Sequence, residues 1–168
     1  MQVQNPNRYK GALFVTALLL FFITLFVSCD RSRVFEENMP VDEAGWDQKK
    51  PVEFDVNIDD TLSAYSFFLN VRHAEAYPYS NLYVFMNTKI PGNIMARDTI
   101  ELVLQDQEGN WTGSGLGDIF DHQILFRKGL RFPRKGSYHF SIEQAMRSPV
   151  LPFIMEIGLR IEKENNGQ

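Results

Sequence analysis

The sequence predicts an all-β fold, a single β-sandwich of jelly-roll or Greek-key type, on three observations. Apolar and polar residues alternate in several short segments after residue 52, as expected of half-buried strands. Stretches rich in glycine, proline, asparagine and aspartate separate these segments, which is typical of sandwiches and barrels. The chain also contains 14 Phe and 6 Tyr, residues that favour pleated, half-buried surfaces.

The first two predicted strands are "VEFDVNI" and "AYSFFLNVRH", and each has one apolar face. Because side chains alternate between the two faces of a strand, one set from each segment is expected in the core. The first set is Val52, Phe54, Val56 and Ile58, and the second is Tyr65, Phe67, Leu69 and Val71.

The later segments complete seven or eight strands. "NLYVFMN" is apolar on both faces, which predicts a central strand, and "DTIELVLQD" should bury Ile100, Leu102 and Leu104. Gly109 in "DQEGNW" indicates a turn. "QILFR", "SYHFSI" and "IMEIGLRIE" follow as strands, and a single helical turn is predicted at residues 143–147.

The amino terminus predicts an export signal. Arg8 and Lys10 precede an uncharged apolar run, residues 12–27, which ends just before Cys29. Its length lies between that of a secretory core and that of a membrane span, so an uncut anchor is the alternative. "FVSC" resembles a lipobox with the small Ser28 before the cysteine, although a phenylalanine replaces the usual leucine. We therefore predict that Cys29 is lipidated, with palmitate among its acyl chains.

These features divide the chain into three parts. Residues 1–28 are predicted to be a lipoprotein signal peptide, residues 29–51 a tether, and residues 52–168 the β-sandwich domain. The tether segment is polar and rich in turn residues, and Trp46 is its one large apolar side chain. We expect Trp46 to pack on the edge of the domain or to contact a partner.

The sequence carries little that predicts catalysis. A net charge of −4 argues against nucleic-acid binding, which needs a basic surface, and one cysteine excludes an internal disulfide or a cysteine-based zinc site. A metal site or the active site of a hydrolase could be formed by Asp118, Asp121 and His122. However, an aspartate at such a position more often has the structural role of opening a turn. His73 and His139 are expected on solvent-facing or edge positions. No enzymatic activity, cofactor or metal is predicted.

Two loops have structural and functional interpretations. "GSGLGD", residues 113–118, could cradle a phosphate, but no helix pattern follows it, and positive φ angles explain its glycines better. "AYPYSN" holds Tyr77 and Tyr79 beside a proline. These rings either lock a loop onto the sandwich or form an exposed platform for a partner.

Several motifs in order along the chain resemble those of the GldH family of gliding-motility lipoproteins of the Bacteroidetes. They are "CD" at Cys29, "RVFEEN", "YPYSNLYVF", "DTIELVL", "GNWTGSGLGDI", "GSYHFSIEQAMR", "LPFI" and "EIGLRIE". The resemblance implies a cell-envelope lipoprotein needed for gliding, with an accessory role in the type IX secretion apparatus. It implies lipid attachment at Cys29 and no catalytic residues.

The predicted function is therefore non-enzymatic docking onto other gliding or type IX secretion proteins of the envelope. The protein is expected on the outer membrane, facing the periplasm. A docking module should leave aromatic side chains exposed, and the candidates for partner contact are Trp46, Tyr77, Tyr79 and Trp111. The alternative is a carbohydrate- or peptidoglycan-binding sandwich, which would need aromatic rings lining a groove beside Asp or Asn.

Overall fold

The computed structural model describes residues 32–164, so Cys29 and the predicted signal peptide lie outside the described residues. This part of the chain contains strands and turns, and none of its segments forms a helix that could cross a membrane. The eleven strands are β1 Arg33–Pro40, β2 Trp46–Asp47, β3 Val52–Ile58, β4 Tyr65–Ala74, β5 Asn81–Ile90, β6 Ile94–Val103, β7 Ser114–Leu116, β8 Ile119–Leu130, β9 Gly136–Gln144, β10 Val150–Leu151 and β11 Ile154–Lys163.

The eight long strands pair in a nested order. The pairs are β5 with β6, β4 with β8, β3 with β9 and β1 with β11, all antiparallel. One sheet has the order β1-β11-β4-β8-β7 and the other β3-β9-β5-β6, while β2 and β10 form a small ribbon. This nesting is a long hairpin wrapped into two sheets, so the predicted sandwich is confirmed and is a jelly roll.

The core lies between the two sheets, where the predicted alternation places it. The inward residues of β3 and β4, and Ile100, Leu102 and Leu104, are each at most 8% exposed. Central strand β5 lies between β9 and β6, as its two apolar faces predicted. The segment Ser32–Gln168 forms one compact unit, and all the buried core residues lie within it.

The predicted tether is wrong for residues 33–47, because part of that segment belongs to the jelly roll. Strand β1 pairs along its length with β11, and Phe35 packs edge-on against Phe54 with ring centroids 6.1 Å apart. Trp46 lies in β2 and pairs with Leu151 of β10. The jelly roll therefore begins at Arg33, close behind Cys29.

The predicted helical turn at residues 143–147 is also wrong. Strand β9 continues through Gln144. The Ala145 amide donates to the Tyr83 carbonyl, 2.8 Å away, and the Met146 amide donates to the Gln144 side chain, 2.9 Å away. These amides are thus used by a neighbouring strand and by a side chain, and no intrahelical bonds form.

Candidate functional site

Two of the four predicted contact aromatics are core residues. Trp46 is 1% exposed, and its Nε1 donates to the Lys50 carbonyl at 3.1 Å. Tyr77 is 3% exposed, its hydroxyl donates to the Asn81 carbonyl at 3.1 Å, and burial raises its pKa. The prediction of exposed partner contacts is wrong for both, because each buried ring places its polar atom on a nearby carbonyl.

The other two aromatics keep some exposure. Tyr79 and Trp111 are half-buried and pack against the core. The Tyr79 hydroxyl lies 3.1 Å from the Ser148 hydroxyl, and the Tyr77 and Tyr79 rings meet edge-on at 5.6 Å. This is the aromatic corner that the sequence offered as the structural interpretation of "AYPYSN".

Two buried histidines lie beside this corner, contrary to the expectation of a solvent-facing or edge His73. His73 on β4 is fully buried, and His122 on β8 is 4% exposed. Their Nε2 atoms are 3.0 Å apart, and the His73 ring contacts Trp111 and Phe120 at 4.4 and 5.8 Å between centroids. We call these four residues the histidine cluster. Only the pairing of β4 with β8 brings the histidines together, and no local sequence pattern reports it.

The histidine cluster favours neutral imidazoles. His73 Nδ1 donates to the Ala74 carbonyl at 2.8 Å, so its Nε2 is left to accept from His122. Burial lowers the pKa of His73. Burial and the neighbouring His73 lower the pKa of His122 to about 4. The pair is therefore a hydrogen bond inside the core at neutral pH.

Asp118, Asp121 and His122 do not converge on one point. His122 faces the core, whereas Asp121, its neighbour on the same strand, is exposed and pairs with Arg72 at 2.7 Å. Asp118 lies in an exposed turn, where its carbonyl accepts from the Glu75 amide. Within residues 32–164 no group of three or more His, Cys, Asp or Glu is placed to hold a metal. The three residues therefore do not form the active site that the hydrolase alternative needs.

The glycines of "GSGLGD" have two different causes. Gly117 adopts φ +69°, as the prediction of positive φ requires. Gly113 and Gly115 do not, and a Cβ atom there would come within 2.6 Å of the Asp121 carbonyl and 2.9 Å of the Phe120 ring. These two glycines let β7 lie closely on β8.

A polar groove of about 520 Å³ crosses the outer face of the five-stranded sheet. The sequence analysis missed it, although outward-facing Asn70 and Arg72 of "LNVRH" were a visible signal. The residues that line it are mostly amides, carboxylates and hydroxyls. They are Asn38, Asn70, Val71, Arg72, Thr112, Gly113, Ser114, Asp121, His122, Gln123, Ile124 and Glu156.

Ion pairs fix the shape of the groove. Arg72 donates to both oxygens of Asp121 and, at 2.8 Å, to Glu156. Nearby Arg160 donates to Glu36 at 2.6 Å. Burial raises the pKa of Glu36, but the hydrogen bonds from Arg33 and Arg160 outweigh it and leave this pKa below its usual value. Bidentate arginine pairs of this kind hold their geometry well.

Asn70, one of the residues that line the groove, has a buried acceptor that is unpaired within residues 32–164. Asn70 Nδ2 donates to Asn38 Oδ1 at 2.9 Å, and Asn70 Oδ1 is buried with no hydrogen-bond partner among the described residues. Gly158 makes room for this pair, since a Cβ there would lie 1.8 Å from Asn38 Oδ1. A buried unpaired carbonyl oxygen is costly.

The groove does not match a carbohydrate platform. In a carbohydrate-binding sandwich, we expect Tyr or Trp rings to line the groove beside Asp or Asn. None of the residues that line the groove carries an aromatic ring other than the buried imidazole of His122. The groove instead presents amide and charged groups.

Comparisons with known proteins cover nearly the whole chain. The sequence model of the family described as GldH lipoprotein matches residues 33–161, from the start of β1 into β11. A Christiangramia forsetii protein named "Gliding motility lipoprotein GldH homolog" is 33% identical over 160 residues, covering 91% of this chain and 98% of the relative. "Gliding motility lipoprotein GldH" of Flavobacterium johnsoniae is 31% identical over 172 residues, covering 98% of this chain and 100% of the relative.

Among solved structures, the VP2 subviral particle of infectious bursal disease virus aligns with a TM-score of 0.33 at 14% identity. That alignment covers 84% of this chain and 34% of the viral chain. The structure of the Gx strain of the same virus aligns with a TM-score of 0.30 at 14% identity, over 83% of this chain and 35% of the viral chain.

Proposed function

Because the chain belongs to the GldH lipoprotein family, we propose that it is held on the envelope membrane through a lipid on Cys29. The mature chain then begins at Cys29, and its jelly roll docks onto other proteins of the gliding or type IX secretion apparatus. We propose the outer membrane, with the domain facing the periplasm. In this proposal the protein works by binding and performs no catalysis.

The anchor is supported by the residues around Cys29. An uncharged apolar run ends immediately before "SCD", and small Ser28 precedes the cysteine. The jelly roll begins four residues after Cys29, at Arg33. Two or more acyl chains give stable anchoring, so lipidation alone would hold the domain at the membrane surface.

The docking role rests chiefly on the polar groove, one of whose lining residues, Asn70, has a buried carbonyl oxygen without a partner among the described residues. A segment of a partner protein that donates to this oxygen would pair the one buried side-chain acceptor that the described residues leave unsatisfied. The groove also offers Asn38, Gln123 and Glu156 as further hydrogen-bonding groups. Polar grooves whose ion pairs are already formed need little rearrangement on binding.

A pull-down of the tagged protein, with its lipid intact, from envelope membranes tests the docking role. We expect motility or secretion subunits to co-purify with the wild type and to be lost with Gln123→Trp, which fills the groove. The matched control is Asn57→Trp, because Asn57 is exposed on β3 of the other sheet. Equal recovery of partners by both variants would contradict docking through the groove, and glycan fragments without a protein partner would favour the carbohydrate-binding alternative.

A further inference from the structure

The two ends of the jelly roll differ in their loops. The register of the paired strands β1, β11, β4 and β8 brings several chain positions to one end of the jelly roll. These are Ser32, the start of β4 at Tyr65, the end of β8 at Leu130 and the C-terminal end of β11. We call it the Ser32 end. It carries the loops 59–64, 91–93 and 131–135. The turn at Phe153 marks the opposite, Phe153 end.

The loop 131–135 presents three cations at the Ser32 end. Arg131, Arg134 and Lys135 are exposed, and none forms an ion pair with a carboxylate of residues 32–164. We call this segment the basic loop. Lys128 on the adjoining strand is exposed as well. Positive charge is thus concentrated on one loop of a chain whose net charge is −4.

Contacts with the core fix the backbone of the basic loop. Phe132 is 3% exposed and packs on Tyr65 and Tyr138, with ring centroids 4.9 and 4.7 Å away. The Tyr138 hydroxyl donates to the Arg134 carbonyl at 2.8 Å. The backbone of the basic loop is therefore fixed from the core side. Arg131 and Lys135 are exposed, and the Arg134 guanidinium lies beside loop 91–93, where its Nη1 donates to the Pro91 carbonyl at 3.5 Å.

Two of the carboxylates near the basic loop are paired with a cation, whereas Asp59 and Glu164 accept hydrogen bonds from neutral groups. Asp60 accepts from Lys163 at 2.6 Å and from Ser63, and Asp59 accepts from Asn57. Asp98 pairs with Arg127 at 3.0 Å. The loops of the Phe153 end carry more exposed acids. Asp42 pairs with Lys50 there, and the others are Glu43, Glu75, Asp106, Glu108 and Asp118.

Apolar side chains protrude beside the basic loop. Leu62 in loop 59–64 is 84% exposed, and Ile94 and Met95, which follow loop 91–93, are 47% and 64% exposed. Loop 59–64 runs beside the basic loop, because Ile58 pairs with Gly136 and Tyr65 pairs with Leu130. Cations next to exposed aliphatic side chains are the combination that binds an anionic membrane interface.

The chain also leaves the domain at this end. Two residues, Asp30 and Arg31, lie between Cys29 and Ser32, and the three Cα–Cα steps span at most about 11 Å. Three strand spacings, about 14 Å, separate β1 from β8, which leads into the basic loop. A lipid on Cys29 would therefore hold the basic loop against the bilayer that carries the lipid.

We propose that the Ser32 end of the jelly roll, through Arg131, Arg134, Lys135 and the exposed Leu62, binds the anionic lipid headgroups of the membrane that anchors the chain. The proposal rests on lipid attachment at Cys29 for its orientation. This second attachment fixes which way the domain faces, and it leaves the polar groove on the side of the jelly roll open to partners.

Vesicle sedimentation of the segment Ser32–Gln168, which contains the whole core and lacks Cys29, tests the proposal without any lipid on the protein. The vesicles contain phosphatidylcholine with or without one quarter phosphatidylglycerol, at about 0.1 M NaCl. We expect binding only with phosphatidylglycerol. The variant Arg131→Gln/Arg134→Gln/Lys135→Gln should bind about 100-fold more weakly, since each cation contributes about fivefold.

The matched control removes three exposed cations from the Phe153 end, Lys49→Gln/Lys50→Gln/Arg147→Gln, and should bind at least half as well as the wild type. Circular dichroism checks that both variants fold. Equal binding to both kinds of vesicle, or equal loss in the two triple variants, would overturn the proposal. Loss of an acidic protein from pull-downs without any vesicle binding would overturn it too. The presence of lipid is measured separately, on the peptide of the full chain that contains Cys29.

Discussion

His73 and His122 face each other across β4 and β8, with their Nε2 atoms 3.0 Å apart inside the core. A histidine in an unfolded chain has a pKa of about 6.5, whereas that of His122 is lowered to about 4. Between these values the unfolded chain binds more protons than the folded one. The free energy of unfolding therefore falls as the pH drops from about 6.5 to about 4. Above this pH range, His122 no longer lowers the stability of the folded chain.

We predict that His122→Gln removes most of this pH dependence. A glutamine amide can still donate to His73 Nε2, but it does not titrate. The wild type should lose up to about 3 kcal/mol between pH 7 and pH 4 through His122, and the variant should keep only the part that comes from His73, whose pKa burial also lowers. Urea unfolding at pH 7, 5.5 and 4 measures the difference. His139→Gln, which removes a histidine outside the cluster, is the control, and an unchanged slope in His122→Gln would contradict the assignment.

Trp46→Ala is predicted to destabilise the jelly roll by about 3–5 kcal/mol, the usual cost of removing a large buried ring. Trp46 is 1% exposed and lies in the β2–β10 ribbon. The measurement is urea unfolding of the purified domain. If the variant kept its stability but lost its partners in a pull-down, Trp46 would be a contact residue, contrary to its burial.

Gly158→Ala is predicted to destabilise the domain by about 1–3 kcal/mol, as overpacking does. The new Cβ would meet Asn38 Oδ1 at 1.8 Å and the Glu37 carbonyl oxygen at 2.8 Å. Adding Asn38→Ala should restore part of the stability, because only the side-chain clash is then removed. A double-mutant cycle by thermal unfolding measures this coupling, and strictly additive effects would contradict the close approach.

The parts of the fold that the sequence predicted are those with a local signal. Alternation in "VEFDVNI" identified both β3 and its inward face, and the double apolar pattern of "NLYVFMN" identified a central strand. Strand β1 was missed because "RVFEENMP" has weak alternation, and its place depends on pairing with β11, far along the chain. The local sequence pattern does not indicate that a distant strand such as β11 will pair with it.

The candidate site shows the same division. The contact aromatics were predicted from their large area and, for tyrosine, a polar tip, and neither property distinguishes an exposed ring from a buried one. Trp46 and Tyr77 are buried because nearby carbonyls accept their polar hydrogens. The polar groove and the histidine cluster each combine strands that are distant in sequence, so only the sheet order brings their residues together.

The lipid on Cys29 is tested most directly by growing cells with labelled palmitate and measuring the label in the full chain and in its membrane fraction. We predict that the wild type and Ser28→Ala, which keeps a small residue before the cysteine, incorporate label and sediment with membranes after washing without detergent. Cys29→Ala should incorporate no label, while its domain remains folded. Label that persists in Cys29→Ala would contradict lipid attachment at this cysteine.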